Sequence, residues 1–248
     1  MALSLLFAAY ALANALAALA NFRAETLIEA WQYQSSQAVL AKQPEFKPAP
    51  DELNSALSYS RFAVRVAGYQ SRFHRTCGDV LMWQAFLTHG APDRPALEEA
   101  FREFRQAIRL QPSYTVNWVR LSLAKHAAGE IDAEYRDAMA NAYLTGRWNP
   151  DTLLQLAGVG LADWDRLPQE SQAVIRDVVL HRLSWKTGSD LDDREAVNML
   201  IMITESGRRE TFCRLLPQDH DRVKTYCESL WGRQATTKPE PGSARAGK

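Results

Sequence analysis

The stretch FREFRQAIRLQPSYTVNW, Phe101–Trp118, decides how the rest of the chain is interpreted. It is a basic amphipathic segment that ends at Pro112, and Trp118 follows six residues later. Such a stretch is either a binding segment or one unit of a helical repeat. The flanking sequence favours the repeat, because the same residue spacing recurs on both sides of it.

The recurring spacing is four, three and five residues between small or apolar positions and a closing residue. It occurs at Ala100, Phe104, Ala107 and Pro112, again at Ala138, Ala142, Thr145 and Pro150, and in a weaker form at Ala56, Ser60, Ala63 and Gly68. Residues three and four apart lie on one face of a helix, so small side chains there let a neighbouring helix approach closely. The proline then ends the second helix of each pair and lets the chain turn.

These positions resemble the tetratricopeptide repeat, whose second helix carries A-x3-F-x2-A-x4-P. AFREFRQAIRLQP matches every element, and Trp118 and Leu121 fall where the next repeat carries its first-helix Trp and Leu. Ser122 stands in place of the expected glycine and Lys125 in place of the expected aromatic residue. The three units begin 44 and then 38 residues apart, not the constant spacing of about 34. The resemblance implies a degenerate helical-hairpin repeat over residues 51–150, and an ordinary helical bundle is the alternative.

Composition supports an all-α protein with no nucleic-acid partner. The 248 residues include 29 Lys+Arg and 29 Asp+Glu, so the formal net charge is zero, and the chain has no basic block. Nucleic-acid-binding proteins carry a basic excess that is absent here. Long segments with a period of 3.6 residues dominate and alternating segments are scarce, which predicts helices rather than strands.

The N-terminal stretch ALSLLFAAYALANALAALA, Ala2–Ala20, contains 19 residues without a charge. At about 1.5 Å per residue it would just cross a hydrocarbon core of roughly 30 Å. A signal anchor over residues 1–22 is favoured, because a basic leading region is absent and the run exceeds the roughly 7–15 apolar residues of a signal peptide. A signal peptide cleaved after Ala20 and a buried helix of a soluble protein are the alternatives.

The cysteines bear on the compartment. Cys213 and Cys227 are separated by thirteen residues that include Pro217, so a turn can bring them together. We predict a disulfide, which would stabilise the fold by about 3 kcal/mol. Cys77 would then be left over as a buried free thiol, and three unpaired buried thiols are the alternative. Disulfides are typical of exported proteins. Arg23 taken alone weakly favours a cytoplasmic domain, but the disulfide favours a single-pass protein of the bacterial inner membrane with its domain in the periplasm.

The remaining segments complete the predicted organisation. Residues 23–50 are expected to form a helical extension and a proline-rich linker, since three prolines fall within PEFKPAP. Helices are predicted near residues 51–67, 73–89, 95–110, 114–128 and 132–145. A helical C-terminal cap is expected over residues 151–232 and a disordered tail over residues 233–248.

Signals for chemistry are weak, and we expect no enzymatic activity, no cofactor and no metal site. The five histidines are scattered, and the DHD stretch Asp219–Asp221 is interpreted as a polar loop. Glu205-Ser206 is similar to the catalytic pair of lytic transglycosylases, whose glutamate acts as a general acid on glycan. Their other motifs are absent and only about 40 residues follow Glu205. A helix end capped by Gly207 is the favoured interpretation.

Two surface features have competing interpretations. The arginines of the opening stretch are predicted to be solvated and paired with glutamates of their own helix, with a patch for an acidic partner as the alternative. These residues are Arg102, Arg105 and Arg109, with Glu98, Glu99 and Glu103. Four tryptophans recur at boundaries between helix pairs, where packing is favoured over stacking on a sugar. They are Trp83, Trp118, Trp148 and Trp164.

The whole arrangement resembles the membrane-anchored proteins of bacterial exopolysaccharide gene clusters, the VpsP-like polysaccharide biosynthesis family. The likeness lies in the anchor, linker and repeat architecture and in the stretches GDVLMWQAF and AIRLQPSYTVNW. It implies a non-catalytic scaffold whose partners are inner-membrane proteins of a polysaccharide assembly system. A periplasmic glycan-binding module and an adaptor of another envelope complex are the alternatives, and a glycan-cleaving enzyme is less favoured.

Overall fold

The computed structural model describes residues 2–86, 92–184, 190–216 and 223–228. All regular structure in these ranges is helical and none is strand, which confirms the all-α prediction for this part of the chain. The chain divides into two compact units, residues 1–148 and 149–248.

The described residues of unit 1 form six helices, and the bounds of the last five agree with the five predicted helices to within a few residues. They are α1 (Ala2–Leu40), α2 (Pro50–Ala67), α3 (Ser71–Ala85), α4 (Arg94–Leu110), α5 (Thr115–Ala127) and α6 (Ala133–Gly146). The predicted end of the third helix, near residue 89, lies outside the described residues.

Helix α1 is continuous over 39 residues. Within the described residues it is the one helix long and apolar enough to cross a membrane, by length and composition, and large apolar side chains such as Leu3 and Phe7 are exposed in its first half. Its second half differs, because Ala24, Ile28 and Trp31 are buried in the same core as residues of α2, α3 and α4. Much of the stretch that we expected to be a separate extension therefore forms part of unit 1, and only residues 41–49 connect α1 to α2 without helix.

Successive helices pair as antiparallel hairpins, α1 with α2, α3 with α4 and α5 with α6. The residues of the recurring spacing lie in these interfaces: Ala100, Phe104, Ala107, Ala138 and Ala142 are fully buried and Leu121 nearly so. The closest approach in the middle hairpin is at Gly78 of α3, where a methyl group would lie 2.5 Å from the Phe104 ring. A side chain at residue 78 would therefore separate α3 from α4.

Helix ends follow local sequence signals. Pro112 lies two residues after the end of α4, as predicted. Asp93 caps the start of α4, where its carboxylate accepts a hydrogen bond from the Ala96 amide at 3.4 Å. Gly129 has a φ of +74° just after α5, in the left-handed region that glycine tolerates best. Pro150, expected to close the second unit of the repeat, lies beyond the end of α6 and is the first residue of α7.

Besides a short helical segment at 223–228, the described residues of unit 2 form four helices and one 3₁₀ turn. They are α7 (Pro150–Ala162), the turn Trp164–Arg166, α8 (Gln169–Ser184), α9 (Asp190–Glu205) and α10 (Arg209–Leu215). Gly160 of α7 lets α8 approach, since a methyl group there would lie 2.2 Å from Ile175. Trp164 packs against Phe212 with ring centroids 4.9 Å apart. The predicted tail at 233–248 lies outside the described residues.

The predicted disulfide is confirmed. Cys213 of α10 bonds to Cys227 in a short helical segment at 223–228, with the two Cα atoms 5.6 Å apart. Both cysteines are buried. Cys77 is a free, buried thiol as expected, and burial raises its pKa to about 12.

Candidate functional site

A groove of about 510 Å³ runs along the first helix of each hairpin in unit 1. It is lined by residues from α1, from α3 and from the start of α5, so that three helices distant in sequence share one surface. The lining residues are Glu25, Ile28, Glu29, Gln32, Arg72, Arg75, Thr76, Asp79, Gln111, Tyr114, Val116 and Arg120. We refer to this surface as the charged groove.

One wall of the charged groove is fixed by an ion pair between α1 and α3. The Arg72 guanidinium donates to both carboxylate oxygens of Glu25, with Nε 2.6 Å from Oε1. The Thr76 hydroxyl donates to the same carboxylate at 3.1 Å. Burial opposes ionisation of Glu25, but Arg72 and the hydrogen bonds outweigh it and lower the pKa of Glu25. The lowered pKa keeps the Glu25 carboxylate ionised near neutral pH, so that it accepts the hydrogen bonds that hold α1 against α3.

A second ion pair crosses the groove between α3 and α5. Arg120 Nε lies 3.0 Å from Asp79 Oδ1. Burial raises the pKa of Asp79, although Arg120 and Arg75 both act in the opposite direction. Arg75 in turn lies over the Tyr114 ring, 5.1 Å from its centroid. The groove thus presents guanidinium groups and a carboxylate in alternation, a surface suited to hydrogen bonding with a polar chain.

An adjoining pocket of about 290 Å³ is mainly apolar. It shares Gln32, Asp79 and Arg120 with the charged groove and is otherwise lined largely by aromatic and aliphatic side chains. These are Phe46, Met82, Trp83, Phe86, Phe104 and Leu123, and Ser35 and Glu45 complete the lining. Trp83 is held edge-on by Trp31 and by Phe46, with centroid distances of 5.7 and 6.3 Å. The Asp79–Arg120 pair therefore separates a polar site from an apolar one.

The glutamates and arginines of α4 make different contacts from those predicted. Glu99 pairs with Arg61 of α2, with Arg61 Nη2 2.8 Å from Oε2, and Glu103 pairs with His74 of α3 at 2.6 Å. Arg105 binds Glu134 of α6 through Nε and Nη2, at 2.6 and 2.7 Å. Pairing within α4 was therefore the wrong prediction for these residues, because each side chain lies nearer to a neighbouring helix than to its own next turn.

Lys125, which replaces the aromatic residue expected from the repeat, is buried with its side chain only 3% exposed. Its ammonium group lies within 2.6–3.2 Å of carboxylate oxygens of Glu130, Asp132 and Glu134. Burial alone would lower the pKa of Lys125, but these three carboxylates reverse the effect and raise it. Lys125 thus joins α5 to the start of α6 by charge, at the position where the tetratricopeptide repeat that the sequence resembles carries an aromatic ring.

The four tryptophans have different environments. Trp164 is buried and Trp118, partly buried, donates from Nε1 to the Pro112 carbonyl at 2.7 Å. Both are packing residues, as expected. Trp83 lines the apolar pocket, whereas Trp148 is 68% exposed beyond the end of α6. Two of the four therefore face solvent or a pocket.

Glu205 is the last residue of α9 and is exposed. The Gly207 amide donates to Thr204 O at 3.0 Å and the Arg208 amide to Ile203 O at 3.1 Å, with Gly207 at a φ of +70°. These are the two bonds of a Schellman helix end, which accounts for the Glu-Ser-Gly stretch structurally. Among the described residues no group of three His, Cys, Asp or Glu could hold a metal ion. The DHD stretch lies outside the described residues.

The residues that form the groove were not singled out from the sequence. Arg72, Asp79 and Arg120 are isolated charges on helices whose spacing predicts only which side is buried. The signal that could have found them is the presence of charged residues on the same face of the first helix of each hairpin. No protein-family model matches this chain, and none of the curated proteins is significantly similar to it.

Proposed function

We propose that the protein is a membrane-anchored scaffold of the bacterial envelope, in which the charged groove and its apolar pocket hold a segment of an inner-membrane partner in polysaccharide biosynthesis or export. The observation that carries the proposal is the groove itself. It is formed by three successive first helices, joins a polar site to an apolar one and is fixed by ion pairs between helices.

The hairpin organisation supports this proposal through its resemblance to the tetratricopeptide repeat. Stacked helical hairpins bury a shared core and leave an extended surface along one set of helices, and such proteins use that surface for binding. Here the second helices α4 and α6 carry the small-residue positions, of which Ala100, Ala107, Ala138 and Ala142 are fully buried and Thr145 is exposed. The contact of Gly78 with Phe104 gives the close helix approach that such a repeat requires.

The groove chemistry favours a peptide over a small molecule. Arg75 and Asp79 of α3 and Arg120 of α5 offer donors and an acceptor to the groove, and the pocket beyond them accepts an apolar side chain. An extended peptide supplies backbone hydrogen bonds and alternating side chains to such a surface. A partner segment with an acidic residue followed by an aromatic or aliphatic one fits both parts.

The anchor and the disulfide support the location. The first half of α1 has the length and composition of a single membrane span, and the Cys213–Cys227 bond is of the kind that exported domains keep. Together they favour an inner-membrane protein with its two units in the periplasm.

Site-specific photo-crosslinking in cells tests the proposal. A photoreactive amino acid at Gln32 or Val116, both in the groove, is expected to capture an inner-membrane protein of the polysaccharide system. The same group at exposed Ser58 of α2 is the matched control and should not capture it. Arg120→Glu should abolish capture and reduce polymer output. Capture that is equal at all three positions, or normal polymer output without the protein, would refute the scaffold.

A glycan-binding module is the second candidate, favoured by one observation. Trp83 and Phe46 present aromatic rings in the apolar pocket beside polar Gln32 and Glu45, and sugars bind such a combination. In that case purified polymer should bind the protein in calorimetry, and Trp83→Ala should abolish binding while Trp148→Ala, outside the groove, leaves it intact. Absence of polymer binding together with partner capture separates the two functions in favour of the scaffold.

A further inference from the structure

Three chain turns of unit 1 meet at one end of its helix stack. The Ser71 hydroxyl at the start of α3 donates to the Ala107 carbonyl near the end of α4, at 3.0 Å. The Asn117 amide at the start of α5 donates to the same carbonyl at 3.1 Å. Thr115 of α5 donates to Thr145 near the end of α6, also at 3.1 Å. The α2–α3 turn, the α4–α5 turn and the end of α6 therefore lie side by side.

The apolar half of α1 begins at this same end. Ala17 of α1 is fully buried against Ala63 and Ala67 of α2 and Phe73 of α3. The Tyr69 hydroxyl, in the α2–α3 turn, donates to the Asn14 side chain. Because Asn14 precedes Ala20 by six residues, it lies about 9 Å inside the apolar segment along the helix axis. The α2–α3 turn thus lies beside the proposed membrane span and gives a partner to its one amide side chain.

Each of the three turns exposes an aromatic ring. Tyr69 is 51% exposed, Tyr114 39% and Trp148 68%. Leu110 and Leu144, near the ends of α4 and α6, are exposed beside them. Tyrosine and tryptophan at one level are typical of proteins that contact the interface between water and lipid, where their rings are apolar and their polar atoms reach water.

Carboxylates are few at this end, and the two nearest to the α2–α3 turn, Glu25 and Glu103, are paired with Arg72 and His74. The chain has no Asp or Glu in residues 53–78, 104–129 and 138–150, which include the three turns. Arg65, Arg109 and Arg147 are exposed there, and in the part of the chain that the structure describes no carboxylate pairs with them. The opposite end is mixed in charge, with carboxylates such as Asp93 and Glu130 at its turns.

We propose that this end, defined by Tyr69, Tyr114 and Trp148 and called the aromatic face, is a membrane-contact surface that lies in the headgroup region of a bilayer containing anionic lipid. Two observations select lipid as the occupant. The apolar half of α1 emerges from the face itself, so a bilayer that holds α1 must lie against it. The exposed Arg65, Arg109 and Arg147, which no carboxylate of the described residues neutralises, match the negative charge of anionic headgroups. The proposal depends on the membrane anchor but not on the identity of any partner.

Depth-dependent fluorescence quenching of the full-length protein in vesicles tests the aromatic face. Single cysteines replace exposed residues beside the three rings, as Gln70→Cys, Ser113→Cys and Leu144→Cys, and carry an environment-sensitive dye. The native thiols do not interfere, since Cys77 is buried and the other two are bonded. Exposed Ala133 at the opposite end serves as the matched control, labelled as Ala133→Cys.

In vesicles of phosphatidylglycerol and phosphatidylethanolamine that contain headgroup-labelled nitroxide lipid, the dyes at 70, 113 and 144 should be quenched several-fold more than the dye at 133. Replacing Arg65, Arg109 and Arg147 together by glutamine should reduce quenching at 113 and 144. The reduction should be absent in vesicles of phosphatidylcholine alone, where the arginines have no anionic partner.

A dye at exposed Leu12, within the apolar segment, separates the two ways of failing. It is measured in vesicles whose lipid carries the nitroxide on its acyl chain, because a headgroup label does not reach the depth of this residue. Quenching at 12 without quenching at 70, 113 and 144 overturns the aromatic face and leaves the anchor intact, so that a protein partner would have to cover the rings. No quenching of the dye at residue 12 would overturn both the membrane anchor and the aromatic face. Equal quenching at 133 and at the three turns would mean unspecific adsorption and also contradicts the proposal.

Discussion

The ring of Phe104 occupies the space in which a side chain at Gly78 would stand. A methyl group built on Gly78 would lie 2.5 Å from Cε1 and 2.7 Å from Cζ of the ring. Phe104 is fully buried, so a displacement of its ring would disturb the residues packed around it. The pair sets how closely α3 and α4 pack. It therefore also affects the position of α3 beside the charged groove.

We expect Gly78→Ala to destabilise unit 1 by about 1–3 kcal/mol, the usual cost of overpacking a core. The measurement is urea unfolding of the full chain in detergent, followed by hydrogen exchange in α3 and α4. Gly158→Ala is the matched control, because a methyl group there meets only the mobile end of Met202, at 3.2 Å. The gain in helix propensity of about 1 kcal/mol should offset that contact. Equal losses in the two variants would contradict this account of Gly78.

Lys125→Met should lower the free energy of unfolding by about 2 kcal/mol, because it leaves three carboxylates without their shared cation. The loss is smaller than the roughly 3–5 kcal/mol of a fully buried pair, since the carboxylates keep some solvent. Lys224→Met is the control: its ammonium group is exposed and 3.8 Å from Glu228, and the change should stay within about 0.5 kcal/mol. The measurement is chemical denaturation of the native protein and the two variants. If Lys125→Met had as small an effect as Lys224→Met, Lys125 and its three carboxylates would have no structural role.

Acid should weaken the contact between α4 and α6 through Glu134. Its hydrogen bonds with Arg105, assisted by Lys125, lower the pKa of Glu134 to about 2 against partial burial. Because the folded pKa lies below the unfolded value near 4.5, this contribution is complete above pH 4.5 and is lost as the pH falls toward 2. The stability difference between the native protein and Glu134→Gln should therefore shrink as the pH is lowered from 6 to 3. If the free energies of unfolding of the two proteins changed with pH in parallel, this role of Glu134 would be contradicted.

Reduction of the disulfide should destabilise unit 2 by about 3 kcal/mol, from the loop of this size that it closes. The double variant Cys213→Ser, Cys227→Ser should behave in the same way without reductant. Hydrogen exchange is the measurement, with faster exchange expected at 209–216 and 223–228. Amides of α3 and α4 in the same sample are the internal control, and accelerated exchange there as well would mean that the bond does not act on unit 2 alone.

Local patterns in the sequence predicted much of the fold. The recurring spacing identified Phe104, Ala107 and Ala142 as inward-facing, because residues three and four apart share a helix face whatever the neighbour. The disulfide could be predicted because Cys213 and Cys227 are near each other in sequence, so a single turn brings them together.

Contacts between distant segments were not predictable in the same way. Arg105 and Glu134 are 29 residues apart, and Arg72 and Glu25 are 47 apart. A helical pattern gives the direction in which a side chain points but not which helix lies there. The same reason explains why the sequence did not reveal that Trp31 belongs to the core of unit 1 or that three helices share a groove.

Because α1 is one unbroken helix, it also sets the distance between the apolar segment and the charged groove. Its groove residues Glu25, Ile28, Glu29 and Gln32 follow Ala20 by five to twelve residues, which is about 8–18 Å along the axis at about 1.5 Å per residue. With Ala2–Ala20 in a bilayer, the groove stands within this distance of the membrane surface and cannot swing away on a tether. If the groove binds a partner as proposed, a protein whose binding segment lies further from the bilayer would not reach it, so the length of α1 would restrict partners by the distance of that segment from the membrane.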